Sequence, residues 1–472
     1  MSNMVIASAP GKVLITGGYL VLEPEYTGTV IGTSSRFYTV IQPGANGLIT
    51  VRSPQFDHAN WTYEITMSTT FALKAQEVDS PNKFVETALA FTLKIILKKQ
   101  GMEKIHDKLM AGMDIIIVGD NDFYSQRAQL KTKSLPNTVE ALATLTPFCK
   151  TYATLATVHK TGLGSSAALI TSLVAALLLH FEMIEDVTTD KNKKWVHNIA
   201  QFVHCFAQGK VGSGFDVSSA VWGSHCYKRF NPDILKSVMD NQVDSQLLLN
   251  TLDPANQNWD NQVVPLKLPP GFDLLLADID AGSHTPTLVS KALAWKKSDP
   301  EQADALWKEL GGYNQKVEQH LRRLSDLYEQ DPARYQSTID ICSSLHSNEW
   351  RVLEGDVVHE LVGLVDDYLH VRSLLRKMGD ASDVPIEPKE QTRLLDTCMQ
   401  VPGVVMAGVP GAGGYDAIFC IVLSDVAKQE VRKVWQSWKE LNVGPLLSQA
   451  DSNGITCPKL NEIPGLFNII SQ

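Results

Sequence analysis

No block of basic residues appears in this 472-residue chain, no two cysteines are spaced as C-x-x-C, and no apolar run is long enough to cross a bilayer. Each absence removes a class of function. Lys and Arg number 42 against 52 Asp and Glu, a formal net charge of -10, so nucleic acid and anionic membrane surfaces are poor partners. The seven cysteines, at 149, 205, 226, 342, 398, 420 and 457, are odd in number and scattered. That pattern argues against a disulfide framework and a zinc site, and for reduced, mostly buried thiols. The most apolar stretch, residues 167–181, is about 15 residues long, where a membrane span needs roughly 18 or more; it predicts a buried core helix. The opening residues lack a basic stretch leading into an apolar one, and the closing Ile-Ile-Ser-Gln is not a receptor-read address, so a cytoplasmic protein is expected. No internal repeat or low-complexity tract is visible.

What is present is an ordinary globular composition, 44% apolar and 20% charged, with a length that predicts two or three domains. Residues 4–8, 38–41, 48–51 and 114–118 read as strands, being rich in Val, Ile and aromatics between breaks. Residues 84–99 read as a helix with Val85, Leu89, Leu93 and Ile96 near one face. A long polar segment, 119–138, is expected to be functional or disordered. After Gly223 the character changes. Residues 231–270 read as an irregular connector and 272–279 as an apolar strand. Helices are predicted over 286–296, 302–329 and 352–378, the last stopped by Gly379. Strand character returns at 403–407 and 417–423, with a last helix over 425–440. The expected division is residues 1–225 and 226–472.

Three glycine-rich sites interrupt this pattern. In Ala9-Pro10-Gly11-Lys12, Pro10-Gly11 is expected to end a strand and leave Lys12 at a sharp turn, with Gly17-Gly18-Tyr19 open to close approach of a ligand or another chain. Lys160-Thr161-Gly162-Leu163-Gly164-Ser165-Ser166-Ala167 runs directly into the apolar helix. Free N–H groups and the aligned dipole at such a helix start suit phosphates, and a serine hydroxyl there can reach a phosphate-bound Mg²⁺. No Gly-Lys-Ser/Thr closes the loop as in a Walker A motif, and the third glycine of a dinucleotide fingerprint is missing. The third site, Gly408-Val409-Pro410-Gly411-Ala412-Gly413-Gly414, lies between two apolar strands. One carboxylate, Asp216, follows the glycine turn Gly212-Ser213-Gly214-Phe215. Taken singly, each has an ordinary explanation: a Lys in a β-turn, a loop-to-helix cap, a tight hairpin, an Asp N-cap.

Their joint occurrence in this order resembles the GHMP kinase superfamily, across almost the whole chain. The motifs 9–22, 121–126, 160–166, 212–220, 281–286 and 408–416 narrow the resemblance to the phosphomevalonate kinase branch of fungal type. Gly18-Tyr19 stands where much of the superfamily carries Glu-His, and Val158 stands near an often-found proline; both departures fit that branch. The resemblance implies an α+β fold, with an N-terminal ribosomal S5-like α/β domain, a C-terminal ferredoxin-like α+β domain and a ligand cleft between them. It further implies ATP as phosphoryl donor with Mg²⁺, and a small phosphorylated acceptor. Gly162, Leu163, Gly164, Ser165, Ser166 and Ala167, with Lys160, would hold the ATP phosphates, and Ser166 (or Ser165) would lie near Mg²⁺. Asp216 would be the base or orienting carboxylate and Lys12 the cation beside it. Gly18, Tyr19, Ser213 and His284 would line the acceptor site, and Pro136 and Asn137 would border the adenine. Ser283-His284-Thr285-Pro286 also reads as a helix start that could face a substrate phosphate. Phosphorylating a phosphate brings two anions together, so several cations are required; Lys12, Lys160, Lys210 and Arg36 are the candidates. The alternatives are mevalonate kinase, diphosphomevalonate decarboxylase, or an ATP and metabolite sensor without catalysis.

Overall fold

A computed structural model describes residues 4–67, 71–76, 81–280 and 285–471 of the chain, with only the backbone for residues 285 and 286. Runs of β-branched and aromatic residues form the first sheet from β1 (Val5–Thr16), β2 (Thr27–Pro43), β3 (Leu48–Arg52), β4 (Asn60–Met67), β5 (Phe71–Ala75), β6 (Met113–Gly119), β7 (His225–Lys228) and β8 (Gln262–Pro265). Seven strands follow the order β5-β4-β3-β6-β2-β7-β8, and β1 pairs antiparallel with β2 outside that path. Strand β1 does not end at Pro10-Gly11 as the sequence predicts. It continues to Thr16 with a register shift between Pro10 and Lys12. A bulge absorbs the missing proline N–H without breaking the strand, and Gly11 permits the approach of Thr33, the Leu163 carbonyl and Phe123.

The apolar run forms the helix Ser165–His180, buried along most of its length between the first sheet and two flanking helices, Lys83–Gln100 and Asp190–Gln208. Each flanking helix is punctuated as local chemistry dictates. Asn82 accepts from the N–H groups of Phe84 and Val85 at 3.1 and 3.3 Å, and Thr189 accepts from Asn192 at 3.3 Å. Gly209, in the left-handed region, ends the second. The polar segment after β6 holds the short helix Arg127–Thr132, and a second, Val139–Ala143, begins just beyond it.

The second sheet comprises β9 (Asp273–Ile279), β10 (Val404–Gly408), β11 (Ala417–Val422) and β12 (Val443–Pro445), in the antiparallel order β10-β11-β9-β12. Long helices Pro300–Gln330 and Asp356–Ser382 pack on each other beside it. Gly379 does not stop the second of these. The helix runs on to Ser382, because Gly379 serves the close approach of the Val384 carbonyl, 2.7 Å from where a Cβ would stand, and Asp383 takes the left-handed cap. The change of character after Gly223 does not divide the sheets. Strands β7 and β8 complete the first sheet, and residues 446–471 return to it through the bridges Ser8–Thr456 and Thr33–Ala450. A contiguous apolar core joins side chains of both sheets, from Ala7 to Ile455. No described helix is long and apolar enough to cross a membrane.

Candidate active site

The bulge in β1 carries Lys12 to the phosphate-type loop. Its backbone N–H donates to the Leu163 carbonyl at 2.9 Å, and its ammonium donates to the Gly162 carbonyl at 2.8 Å. The aliphatic stem lies so close to Gly164 that a Cβ there would meet Lys12 Cε at 2.9 Å. Gly162 and Gly164 both have φ +79°, a backbone region that favours glycine. No side chain caps the helix that follows, and Ser165, Ser166 and Ala167 are its first three residues. Their N–H groups have no partner within the helix, and with the dipole they form an anion-binding end.

Asp216 occupies the first turn of the helix Phe215–Trp222. It is not the cap: Gly214 holds that position, and Asp216 Oδ1 accepts from the adjacent Val217 N–H at 2.9 Å. Its carboxylate acts on Lys12 through space, as does that of Asp416, which closes the third glycine loop. Burial presses the Lys12 ammonium below its ordinary range, and these two carboxylates oppose that shift. Lys12 also lies 5.5 Å from the centroid of the Phe215 ring.

His204 joins the two halves of this centre. It is 4% exposed, with Nε2 3.1 Å from Ser166 Oγ and 3.8 Å from Asp216 Oδ2. Gln208 Nε2 lies 2.9 Å from the same nitrogen. Burial lowers the His204 pKa, against the pull of Asp216. Ser165 is engaged by Tyr124. Neither His204 nor Asp416 was singled out from sequence. The histidine lies within a mostly apolar helix face, and the aspartate follows its glycines with no spacing that sets it apart.

The other expected positions divide. Gly18 faces the third glycine loop: a Cβ on it would stand 2.1 Å from the Gly411 carbonyl oxygen, and the Tyr19 hydroxyl donates to the Ala412 carbonyl at 2.7 Å. The close approach expected at the first site is therefore largely to the third. Tyr19 is buried, which pushes its phenol up, and has φ +65°. The Ser213 carbonyl accepts from the Tyr227 hydroxyl at 2.8 Å, leaving Ser213 half-buried beside the Asp216 helix. Lys160 is exposed and bridges to Tyr124 at the entry to the loop. Lys210 is exposed at the end of the His204 helix. Arg36 is not at the centre. It donates to Ser8 and to the Gly454 carbonyl and pairs with Asp451 at 3.7 Å, tying the returning C-terminal segment to the first sheet.

Asn137 packs on Gly444 of β12, and Pro136 is exposed beside it. Next to them, Arg127 and His159 converge on Asp278 of β9, with His159 Nε2 at 3.1 Å from its carboxylate. His284 lies outside the described residues. The helix after it begins at Thr285, one residue ahead of the expected start at 286.

Hard oxygen donors suit Mg²⁺, which is held through one or two protein oxygens plus substrate phosphates. Ser166 Oγ and the half-exposed Asp216 carboxylate, on either side of His204, fit that demand. No group of three or more His, Cys, Asp or Glu residues that could hold a metal by itself occurs among the described residues.

The sequence matches the GHMP kinases N terminal domain over residues 150–224 and the GHMP kinases C terminal domain over residues 364–440. These contain the phosphate-type loop with Asp216 and the third glycine loop, respectively. A peroxisomal phosphomevalonate kinase of Arabidopsis thaliana is 38% identical, covering 96% of this chain and 95% of its own. A phosphomevalonate kinase of Gibberella zeae is 37% identical, covering 98% of both chains. Among solved structures, Streptococcus pneumoniae phosphomevalonate kinase in complex with phosphomevalonate and AMPPNP superposes with a TM-score of 0.56 at 14% identity, covering 95% of this chain and 100% of that one. The last likeness is one of fold; the near-full-length identities carry the assignment. A glycine loop read by Lys12, an uncapped helix start and a paired carboxylate thus sit on a chain that belongs to the phosphomevalonate kinase family of the GHMP kinases.

Proposed function

We infer that this protein transfers the γ-phosphoryl group of ATP to 5-phosphomevalonate, giving 5-diphosphomevalonate and ADP, in the mevalonate route to isoprenoids and sterols. The observation that carries the inference is identity of 36–38% to phosphomevalonate kinases over 89–96% of this chain, together with the meeting of Lys12, Asp216 and the Gly162–Ser166 loop. The loop and the first N–H groups of its helix bind the ATP phosphates. Lys12 neutralises charge on the transferring group, and Gly18, Tyr19 and Ser213 form one side of the acceptor pocket. Mg²⁺ held beside Ser166 and Asp216 supplies further charge neutralisation on the phosphates.

A phosphate monoester has a second pKa near 6, so at neutral pH the acceptor oxygen is already charged. Asp216 then acts chiefly by holding and orienting Lys12, and little proton removal is asked of it. Pro136 and Asn137 border the adenine in this reading, supported only by their place beside the loop entry. Scattered buried thiols favour a reducing compartment, and we place the protein in the cytoplasm; fractionation of the tagged full chain tests this.

The deciding assay is ADP release with Mg·ATP and, in parallel, phosphomevalonate, mevalonate and diphosphomevalonate. Turnover on phosphomevalonate alone, with a diphosphate product, is expected. Turnover on mevalonate instead would overturn the substrate, and phosphate with CO₂ from diphosphomevalonate would mean a decarboxylase. ATP binding without turnover on any of the three would mean a sensor.

A further inference from the structure

Directly after β7 of the first sheet, Arg229 is a buried cation, 7% exposed. Its guanidinium reaches two separate segments of chain. One terminal nitrogen donates to the carbonyls of Val211 and Gly212 at 3.1 and 2.6 Å, and the other donates to the Leu22 carbonyl. Tyr227, two residues earlier on β7, takes the next carbonyl, that of Ser213. Three consecutive carbonyls of the 211–213 turn are therefore drawn toward β7. Gly214 completes the turn at φ +86°, where a Cβ would meet Gln201, Phe230 and Tyr227 within 2.9 Å. The second segment is the short turn Leu20–Leu22 directly after Gly18-Tyr19.

No carboxylate pairs with Arg229 among the described residues. Glu23 acts on it only through space, and both Glu23 oxygens are committed to Lys296 at 2.7 and 2.8 Å. The Arg229 Nε–H finds no acceptor among the described residues either. A buried cation without an anion is costly. Fastening two turns needs only neutral donors, so the retained charge calls for a separate use. A protein of net charge -10 that binds an anionic acceptor beside these two turns provides one.

We propose that Arg229 is a positioning residue for the acceptor: it holds the 211–214 and 20–22 turns in register and lends the pocket between them a fixed positive charge from behind its wall. The proposal rests on reading those turns as the acceptor subsite. Arg229 touches neither substrate and takes no part in the transfer itself.

The test compares Arg229→Met and Arg229→Lys with the unaltered protein. KM for phosphomevalonate is measured by ADP release, the ATP dissociation constant by equilibrium titration, and folding by thermal melting. Loss of a charge-assisted contact predicts a rise of roughly tenfold or more in acceptor KM for Arg229→Met. The ATP dissociation constant is expected to stay within about twofold, because the nucleotide loop does not touch Arg229. Lysine keeps the charge but cannot span three carbonyls, so Arg229→Lys is expected to fall between. An unchanged acceptor KM in folded protein overturns the proposal, as does a parallel loss of ATP affinity. Should Arg229→Met fail to melt cooperatively, Arg229→Lys decides alone by the same two readouts. Unaltered protein that ignores phosphomevalonate removes the proposed function and this proposal together; active protein with indifferent variants removes this proposal only.

Discussion

Lys12 is held by opposed influences: burial disfavours its charge, while Asp216 and Asp416 favour it. That balance gives Asp216 a measurable consequence. Asp216→Asn removes one of the two carboxylates that support the ammonium, so the Lys12 pKa falls further and the charged form is lost at lower pH. Turnover at neutral pH is expected to drop by roughly 10²-fold or more, the scale of losing one electrostatic support to the transferring group, with ATP binding retained. The alkaline limb of the kcat profile should also move to lower pH. Near-normal turnover with an unmoved limb would remove Asp216 from the centre. Lys12, Asp216 and the serines were singled out in the sequence because glycines cluster around them. His204, Asp416 and Arg229 were not. Their partners lie far away along the chain or are backbone carbonyls, which leave no trace in side-chain spacing.

At the scale of elements, the glycine loops show how far local reading reaches. Sequence marks Gly17-Gly18 as a place where a ligand or another chain comes close, and the fold sets Gly18 against Gly411 of the third glycine loop. Gly18→Ala would force a Cβ to within 2.1 Å of the Gly411 carbonyl oxygen. The two loops must then separate, at a cost of about 1–3 kcal/mol, read as a lower denaturation midpoint with raised acceptor KM. Gly312 provides the contrast. It is exposed within the helix Pro300–Gln330, and a Cβ there meets nothing within 4 Å. Gly312→Ala should stabilise the protein by about 0.5–1 kcal/mol with activity unchanged. Equal effects of the two substitutions would show that the crossing tolerates separation. Regular elements such as Lys83–Gln100 and β9 were legible from periodicity. The run through Pro10-Gly11 and the passage of a helix across Gly379 were not, because contacts from elsewhere in the chain override the local breaker.

Across the whole molecule, the two sheets are joined beside the nucleotide loop by Arg127 and His159, which follow β6 of the first sheet and grip Asp278, 2% exposed on the second. The hydrogen bond to Asp278 is the main cause raising the His159 pKa above its ordinary 6.5. A histidine with a raised folded-state pKa adds stability that is fully present below its unfolded value and is lost as pH rises through the folded one. Thermal stability should therefore fall on going from about pH 6 to 8 by more in the unaltered protein than in His159→Gln. Identical pH slopes would exclude the contact as a pH-dependent clasp. The expected division at residue 225 missed this kind of integration, since β7, β8 and the last stretch of chain are recruited to a sheet begun at residue 5. That recruitment also governs how the protein is made. Residues 446–471 leave the ribosome after every strand of the first sheet, yet they bridge to Ser8 and Thr33, and the helix Leu466–Ile470 packs beside Ile6, Val40 and Ile116. The strands synthesised first must wait, with that face uncovered, until residues 446–471 emerge, and transiently exposed apolar surface of this kind is what chaperones shield.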